Sequence, residues 1–286
     1  MLHVTNGDSA AALLLQTFTG EVLPWRDVLH EGPVRARLSL EQISEERIAF
    51  IAGAGWGAPE EARTAFHERD AALRTAGSHE EVVLWFEHDL YDQLQLIQLL
   101  DWFARHPHPH LSLICEAEYV GNMSPLRMRE LFAVRRAVTD AQLREARQAW
   151  AAFTAPDPSG MNDLGISALP FLGAALRRQL EEYPWTTDGL SRLERRVLDL
   201  LERGPLPWTR VFTRIGEDPV FLGDLVLRWH LARMAEEGLL EERAGQWALK
   251  SRRRTKRVSR WLGGVRVDEQ CPWRWDPATG RLVGFS

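Results

Sequence analysis

The densest run of side chains that could do chemistry is Glu87, His88, Asp89, Asp92 and Gln93, set directly after the apolar run Val82 to Phe86. Three carboxylates this close repel one another, so they need a proton, a cation or an electropositive ligand. Oxygen donors suit a hard ion or the hydrogen-bonding groups of a sugar or base, so Glu87, Asp89 and Asp92 are the expected holders of Mg2+ or of ligand hydroxyls, with Gln93 as a ligand-binding amide. An acid-rich helix start, favoured by the helix dipole, is the plain structural alternative. A second group, Asp27, His30 and Glu31, precedes the turn residues Gly32 and Pro33. Histidine exchanges protons near neutral pH and carboxylates tune it, so His30, Asp27 and Asp89 form the expected catalytic set and Glu31 a ligand-binding partner. The third group is the turn Asn6, Gly7, Asp8 and Ser9, where a glycine and exposed amides suit an anionic ligand and Asp8 or Ser9 suits a helix cap.

A different chemistry sits near the C-terminus. Lys250, Arg252, Arg253, Arg254, Lys256, Arg257 and Arg260 place seven cations in eleven positions, followed by Trp261. Such a stripe suits a phosphate backbone, and Arg252, Arg253, Arg254, Lys256 and Arg257 are the expected nucleic-acid contacts; a solvated basic surface is the alternative. His106, His108 and His110 alternate with prolines, which reads as an extended surface loop rather than a metal site. Cys115 reads as a structural cysteine within a strand.

For the first three groups to meet, they must share one sheet edge. Residues 1 to 120 repeat a short apolar run, a polar break and a helical stretch, which predicts parallel strands at Leu2 to Thr5, Glu21 to Trp25, Val82 to Phe86 and Leu111 to Cys115. In such a sheet all the polar breaks lie beyond the strands' carboxyl ends, where ligands bind. Ser39 with Gln42 opens one helix as a capping box, another is expected near residues 59 to 76, and Thr139 with Asp140 opens a further one. Pro, Gly, Asp and Ser concentrate between Phe153 and Asp163, which predicts a domain boundary near 155. Beyond it, Leu193, Val197, Leu200 and Leu201 share one helix face, Leu227, Leu231 and Met234 another. A hairpin with an Ala244-Gly245 tip follows, and three helices with a two-stranded wing describe a winged helix. A last hairpin is expected to turn at Pro277 to Gly280.

The chain has 286 residues, 45% hydrophobic and 26% charged, which fits a globular protein of two domains and excludes wholesale disorder. Two cysteines 156 positions apart exclude a disulfide scaffold and suit a reducing cytoplasm. No signal peptide or membrane-spanning run is read in the sequence. Residues 1–150 carry 14 basic and 22 acidic side chains, residues 151–286 carry 21 and 18, so any polyanion contact belongs to the second half.

The stretches LHVTNGDSA, GEVLPWRDVLHEGPV, VVLWFEHDLYDQLQLIQLL, DGLSRLERRVL, PVFLGD and RWLGGVRV with WRWD resemble the bacterial proteins carrying the domain of unknown function numbered 1835. Some of those bear a sigma-factor-like label on their C-terminal half; the helical pattern here fits a winged helix instead. The likeness covers almost the whole chain and implies that the three polar strand-end segments belong to one module. The expectation is thus a Rossmann-like α/β domain over 1–155 and a winged-helix region with a basic tail over 156–286. Its expected role is to bind a nucleotide-like or phosphorylated ligand, as a hydrolase or transferase acting with DNA or RNA. The alternative is a non-enzymatic, ligand-sensing DNA-binding transcription regulator; a third reading makes both halves protein-interaction surfaces.

Overall fold

The apolar run after Met1 forms β1 (Leu2–Thr5), followed by α1 (Asp8–Thr17), β2 (Glu21–Pro24) and a two-residue strand β3 (Gly32–Pro33). Two helices, α2 (Leu40–Gly53) and α3 (Pro59–Arg74), lead to β4 (Val82–Glu87) and α4 (Leu90–Arg105). Then come β5 (Leu111–Glu116), α5 (Pro125–Ala133), β6 (Arg136–Ala137), α6 (Asp140–Thr154) and α7 (Leu172–Leu180). The remainder comprises α8 (Arg192–Leu201), β7 (Leu206–Pro207), α9 (Trp208–Gly216), α10 (Asp224–Glu236), β8 (Leu240–Arg243) and β9 (Gln246–Leu249). Strands β10 (Arg260–Gly263), β11 (Val265–Val267), β12 (Trp273–Asp276) and β13 (Arg281–Gly284) complete the chain. The structure, a computed structural model, describes residues 1–216 and 222–285, so Pro219, Val220 and Phe221 of the PVFLGD stretch lie outside the described residues.

The fold is mixed α/β, built on a five-stranded sheet of order β2-β1-β4-β5-β6 in which the first four strands are parallel and β6 is an antiparallel edge. Alternation along β4 shows why. Val82, Leu84 and Phe86 enter the core that holds α4, whereas Val83 and Trp85 enter the opposite core with Leu14 of α1 and Met128 of α5. A strand buried on both faces has to be apolar throughout, which is the run seen in the sequence. The expected capping box forms at Ser39 with Gln42, and the helix expected to open at Thr139 does so, with Gln142 completing a second capping box. The turn after β1 departs from expectation, because Gly7 is the cap residue of α1 and neither Asp8 nor Ser9 caps it.

Residues 190–240 gather a separate core from α8, α9, α10 and β8, beside the three-stranded sheet β7-β9-β8. The tip of the β8-β9 hairpin is Ala244 and Gly245, both at positive φ, the conformation that matches strand twist in a two-residue turn. The larger core runs straight across position 155. It joins Leu2 and Phe153 with Met161, Leu172, Leu262, Val267, Trp275 and Leu282, because β10 pairs in parallel with β3 and the last hairpin packs beside α7. The Pro- and Gly-rich stretch is therefore a packed turn, with Pro158 and Met161 buried. Among the described residues no helix is long and apolar enough to cross a membrane.

Close backbone approach seats β10 and β11 on the end of α6. A Cβ on Gly264 would overlap the Thr154 carbonyl, which already accepts from the Ala36 amide at 3.0 Å. Since the obstacle is backbone, Gly264→Ala should lower stability by about 3 kcal/mol, the upper part of the range for overpacking. Urea unfolding checks this; a variant as stable as the wild type would contradict the packing described.

Candidate functional site

Strand β1 lies between β2 and β4, so the chain leaves β1 to one side and returns on the other; ligands of open parallel sheets bind outside the carboxyl ends at such a reversal. The residues that emerge there are Asn6 after β1, Arg26 to Glu31 after β2, and Glu87 to Asp92 after β4. Glu87, Asp89 and Asp92 are 3%, 4% and 0% exposed, and one carboxylate oxygen from each lies within 4.8 Å of the others. Their partners are neutral donors. The Asn6 side-chain amide donates to Asp92 Oδ2 at 2.8 Å, the Glu87 amide to Asp92 Oδ1 at 2.8 Å, and the Val120 amide to Glu87 Oε1 at 2.6 Å. Asp89 caps α4 by accepting from the Asp92 amide at 3.0 Å. Gln93 donates to the Glu87 carbonyl at 2.5 Å, so it fixes the strand end.

Among the described residues no ion pair reaches this trio. Burial disfavours the charged form of each carboxyl, and mutual repulsion adds to it: two like charges this close repel by roughly 3 kcal/mol at an effective dielectric near 20. Glu87 is accordingly raised to about 7, Asp89 is raised, and Asp92 is raised well above the usual carboxylate range, with burial the largest cause in all three. Hard oxygen donors, close together and uncompensated, fit a divalent ion such as Mg2+ or Mn2+. No other group of three His, Cys, Asp or Glu side chains among the described residues has that geometry, and the alternating histidines are dispersed: His106 stacks on Trp102 and His108 bonds the His79 carbonyl. Burial pushes the Cys115 thiol up to about 12, the behaviour of a structural cysteine.

Two of the residues expected to act after β2 are engaged in ion pairs. Asp27 is fully buried and its carboxylate meets Arg47 at 2.9 Å and Arg69 at 3.6 Å, both buried as well, while Arg47 also donates to the carbonyls of Val28 and Glu31. That is a structural clamp which shapes the loop after β2. Glu31 is likewise committed elsewhere. It accepts from His230 of α10 at 2.8 Å and stands 3.7 Å from Arg260, and although burial opposes its charge, these neighbours hold it below the ordinary carboxylate range. His30 is 8% exposed, with neither ring nitrogen partnered among the described residues, and burial lowers it to about 4, which favours the neutral ring near pH 7. Its ring stands edge-on to Tyr91, with centroids 6.2 Å apart. Asp8 is exposed and paired with Arg26, and Ser9 is exposed, so the Asn6 to Ser9 turn offers Asn6 inward and only its amides outward.

The basic tail is largely an ion-pair belt. Arg254 lies between Glu194, at 2.7 Å, and Glu237; Arg252 meets Asp199 and Glu202 at 2.6 Å; Lys256 meets Glu236 at 2.6 Å. Arg257 donates to the Gly189 carbonyl at 2.7 Å, and Arg260 is buried between Glu31 and Glu182. Lys250 and Arg253 are exposed and make no ion pair among the described residues. Helix α10 turns one face inward: Trp229 packs edge-on to Phe50 and Trp56 beside the buried His230.

Sequence reasoning missed Arg47 and Arg69, and the pairing of His230 and Arg260 with Glu31. The signal for Arg47 was its place on the inward face of α2, in line with Leu40, Ile43 and Ser44. An arginine at an apolar position is a buried ion pair waiting for an acid. His230 and Arg260 meet Glu31 only through long-range packing, which spacing does not reveal.

No family model matches the chain, and no curated protein does. Among solved structures it is similar to a chain of the structure of Drosophila ORC bound to AT-rich DNA and Cdc6, at 19% identity over 87% of this chain and 80% of that one, with a TM-score of 0.19. A TM-score that low carries no argument about this chain.

The trio has a pH signature. Glu87 titrates near 7 in the folded chain against an ordinary 4.5, so between these values the folded state holds a proton that the unfolded state has released. Stability in cation-free buffer should fall as pH rises through that window, and Glu87→Gln should flatten the fall. Unfolding free energies at about pH 5 and about pH 8 check it; equal losses in both proteins would contradict the assignment.

Proposed function

We propose that the α/β half binds a nucleotide-like or phosphorylated ligand at the carboxyl ends of its parallel strands, with Mg2+ or Mn2+ held by Glu87, Asp89 and Asp92. The observation that carries this is the buried carboxylate trio without a cationic partner among the described residues. When bound, a divalent ion supplies positive charge to a phosphoryl oxygen, the chemistry of a hydrolase or transferase. The chain's own part is positional. Asn6 and the Glu87 amide orient the two oxygens of Asp92, Val120 orients Glu87, and the start of α1, which no side chain caps, leaves amides for an anionic group. The sheet order and its covering helices support a Rossmann-like layout, and the run from α8 to β9 supports a winged helix. With the stretches noted above, they support membership of the bacterial family of unknown function 1835.

A second reading is favoured by one observation: α10 is held against the α/β half through His230 and Trp229. In it the protein is a ligand-sensing regulator without turnover, and the ligand governs how α10 is seated. Product formation from a phosphorylated ligand decides between the two. Nucleic-acid contact, in either reading, belongs to Lys250, Arg252, Arg253 and Lys256, which are exposed; surface ion pairs such as those of Arg252 and Lys256 exchange for phosphates at little cost.

Two results are expected. Mg2+ or Mn2+ should raise the melting temperature of the wild type well above its value in chelator, and raise that of Asp89→Asn much less, because asparagine keeps the helix cap but loses the charge. Equal shifts would remove the ion. Replacing Lys250 and Arg253 with serine should flatten the slope of log DNA affinity against log salt by about 1.8. An unchanged slope, or no binding by the wild type at low salt, would remove these contacts.

A further inference from the structure

Beside the carboxylate trio, between the loop after β2 and the first turn of α10, lies a cavity of ≈ 260 Å³. Its walls are mainly apolar. Val28 and Ile51 line it from the α/β half, Leu225 and Val226 from α10, and the rings of Trp56 and Tyr91 supply flat surfaces. Trp56 is fixed in place by edge contacts with Phe50 and Trp229, at 5.2 and 5.7 Å between centroids.

Three buried polar atoms on this lining have no partner among the described residues: both ring nitrogens of His30 and the indole Nε1 of Trp56. Leaving such groups unmet is costly, so they mark where a ligand's polar atoms belong. Their chemistry is specific. A neutral imidazole offers one donor and one acceptor, and the indole offers a donor only. Two charged side chains reach the lining: Arg26 is already paired with Asp8 at 2.6 Å, and Asp224 is an exposed acid at the start of α10, so the cavity offers no free cation and does not call for an anionic head. What fits is a neutral, flat, polar-edged ring.

We propose that this cavity is a base-recognition subsite that takes a planar heteroaromatic ring of the nucleobase class, its edge paired with His30 and the Trp56 N–H and its face against Tyr91. The proposal rests on the reading of the strand edge as a nucleotide site. The two are adjacent: the Tyr91 hydroxyl donates to the Asn6 carbonyl at 3.4 Å, and the Asn6 amide holds Asp92 at 2.8 Å. His30 is then a specificity-determining residue that touches the base.

The test uses the full chain and titrates adenosine, guanosine, cytidine and uridine by calorimetry in chelator, so that neither phosphate nor cation takes part. At least one nucleoside is expected to bind the wild type, and to bind at least about 10-fold more weakly to His30→Phe, which keeps a flat ring but removes both nitrogens. Leu225→Trp, at a half-exposed lining position, should weaken binding by narrowing the cavity and guards against a folding defect in the first variant. No binding of any of the four, or binding that both variants leave unchanged, overturns the subsite. The metal reading fails separately: nucleoside binding without a response to Mg2+ removes the ion and keeps the base site, and the reverse result does the opposite.

Discussion

Three carboxylates buried together without an ion pair among the described residues are the constraint around which the strand edge is arranged. Glu87 ends β4, Asp89 caps α4 and Asp92 sits in the first turn of that helix, so their closeness is set by a strand-to-helix junction that the core holds on both faces. The hydrogen-bond donors at this junction are neutral: the Asn6 amide, the Val120 and Glu87 backbone N–H groups, the Gln93 side chain; the His88 ring beside Asp89 adds an attraction that burial outweighs. Such dipoles lower the cost of the negative charge without cancelling it, which is the arrangement expected of a site that receives its positive charge from outside.

Several buried charges elsewhere are cancelled internally, and the contrast sharpens the point. Asp27 has Arg47 and Arg69; Glu31 has His230 and Arg260; Glu194 and Glu237 share Arg254. Removing one member of a buried pair of this kind costs about 3–5 kcal/mol, because the other is left charged in a poor solvent. These clamps tie the loop after β2 to α2, and α10 to the α/β half. The same clamps place the first turn of α10 over the cavity beside His30, so the two halves complete one pocket.

Much of the strand-edge architecture was legible because it is local. The run from Val82 to Gln93 announces a buried strand, a polar break and a helix, and the capping pair Ser39 with Gln42 formed as read. The carboxylate trio follows from the same local geometry. Pairing between distant segments was not legible. Nothing in RDVLHEGP shows that Asp27 will meet an arginine on α2 or that Glu31 will meet a histidine on α10, and a run of arginines looks alike whether it faces phosphate or the acids of α8 and α10. The turn richness near 155 likewise says where the chain bends, and cannot say that Met161 and Trp275 will share a core with Leu2.

Counting bound Mn2+ by electron paramagnetic resonance tests the central claim most directly, since the free aquo ion gives a signal that binding quenches. The trio should take up one ion per wild-type chain at neutral pH, and Asp92→Asn, folded as judged by circular dichroism, should leave that ion free. A wild-type chain that leaves the free-ion signal unchanged, or an Asp92→Asn chain that binds Mn2+ as tightly as the wild type, would contradict it.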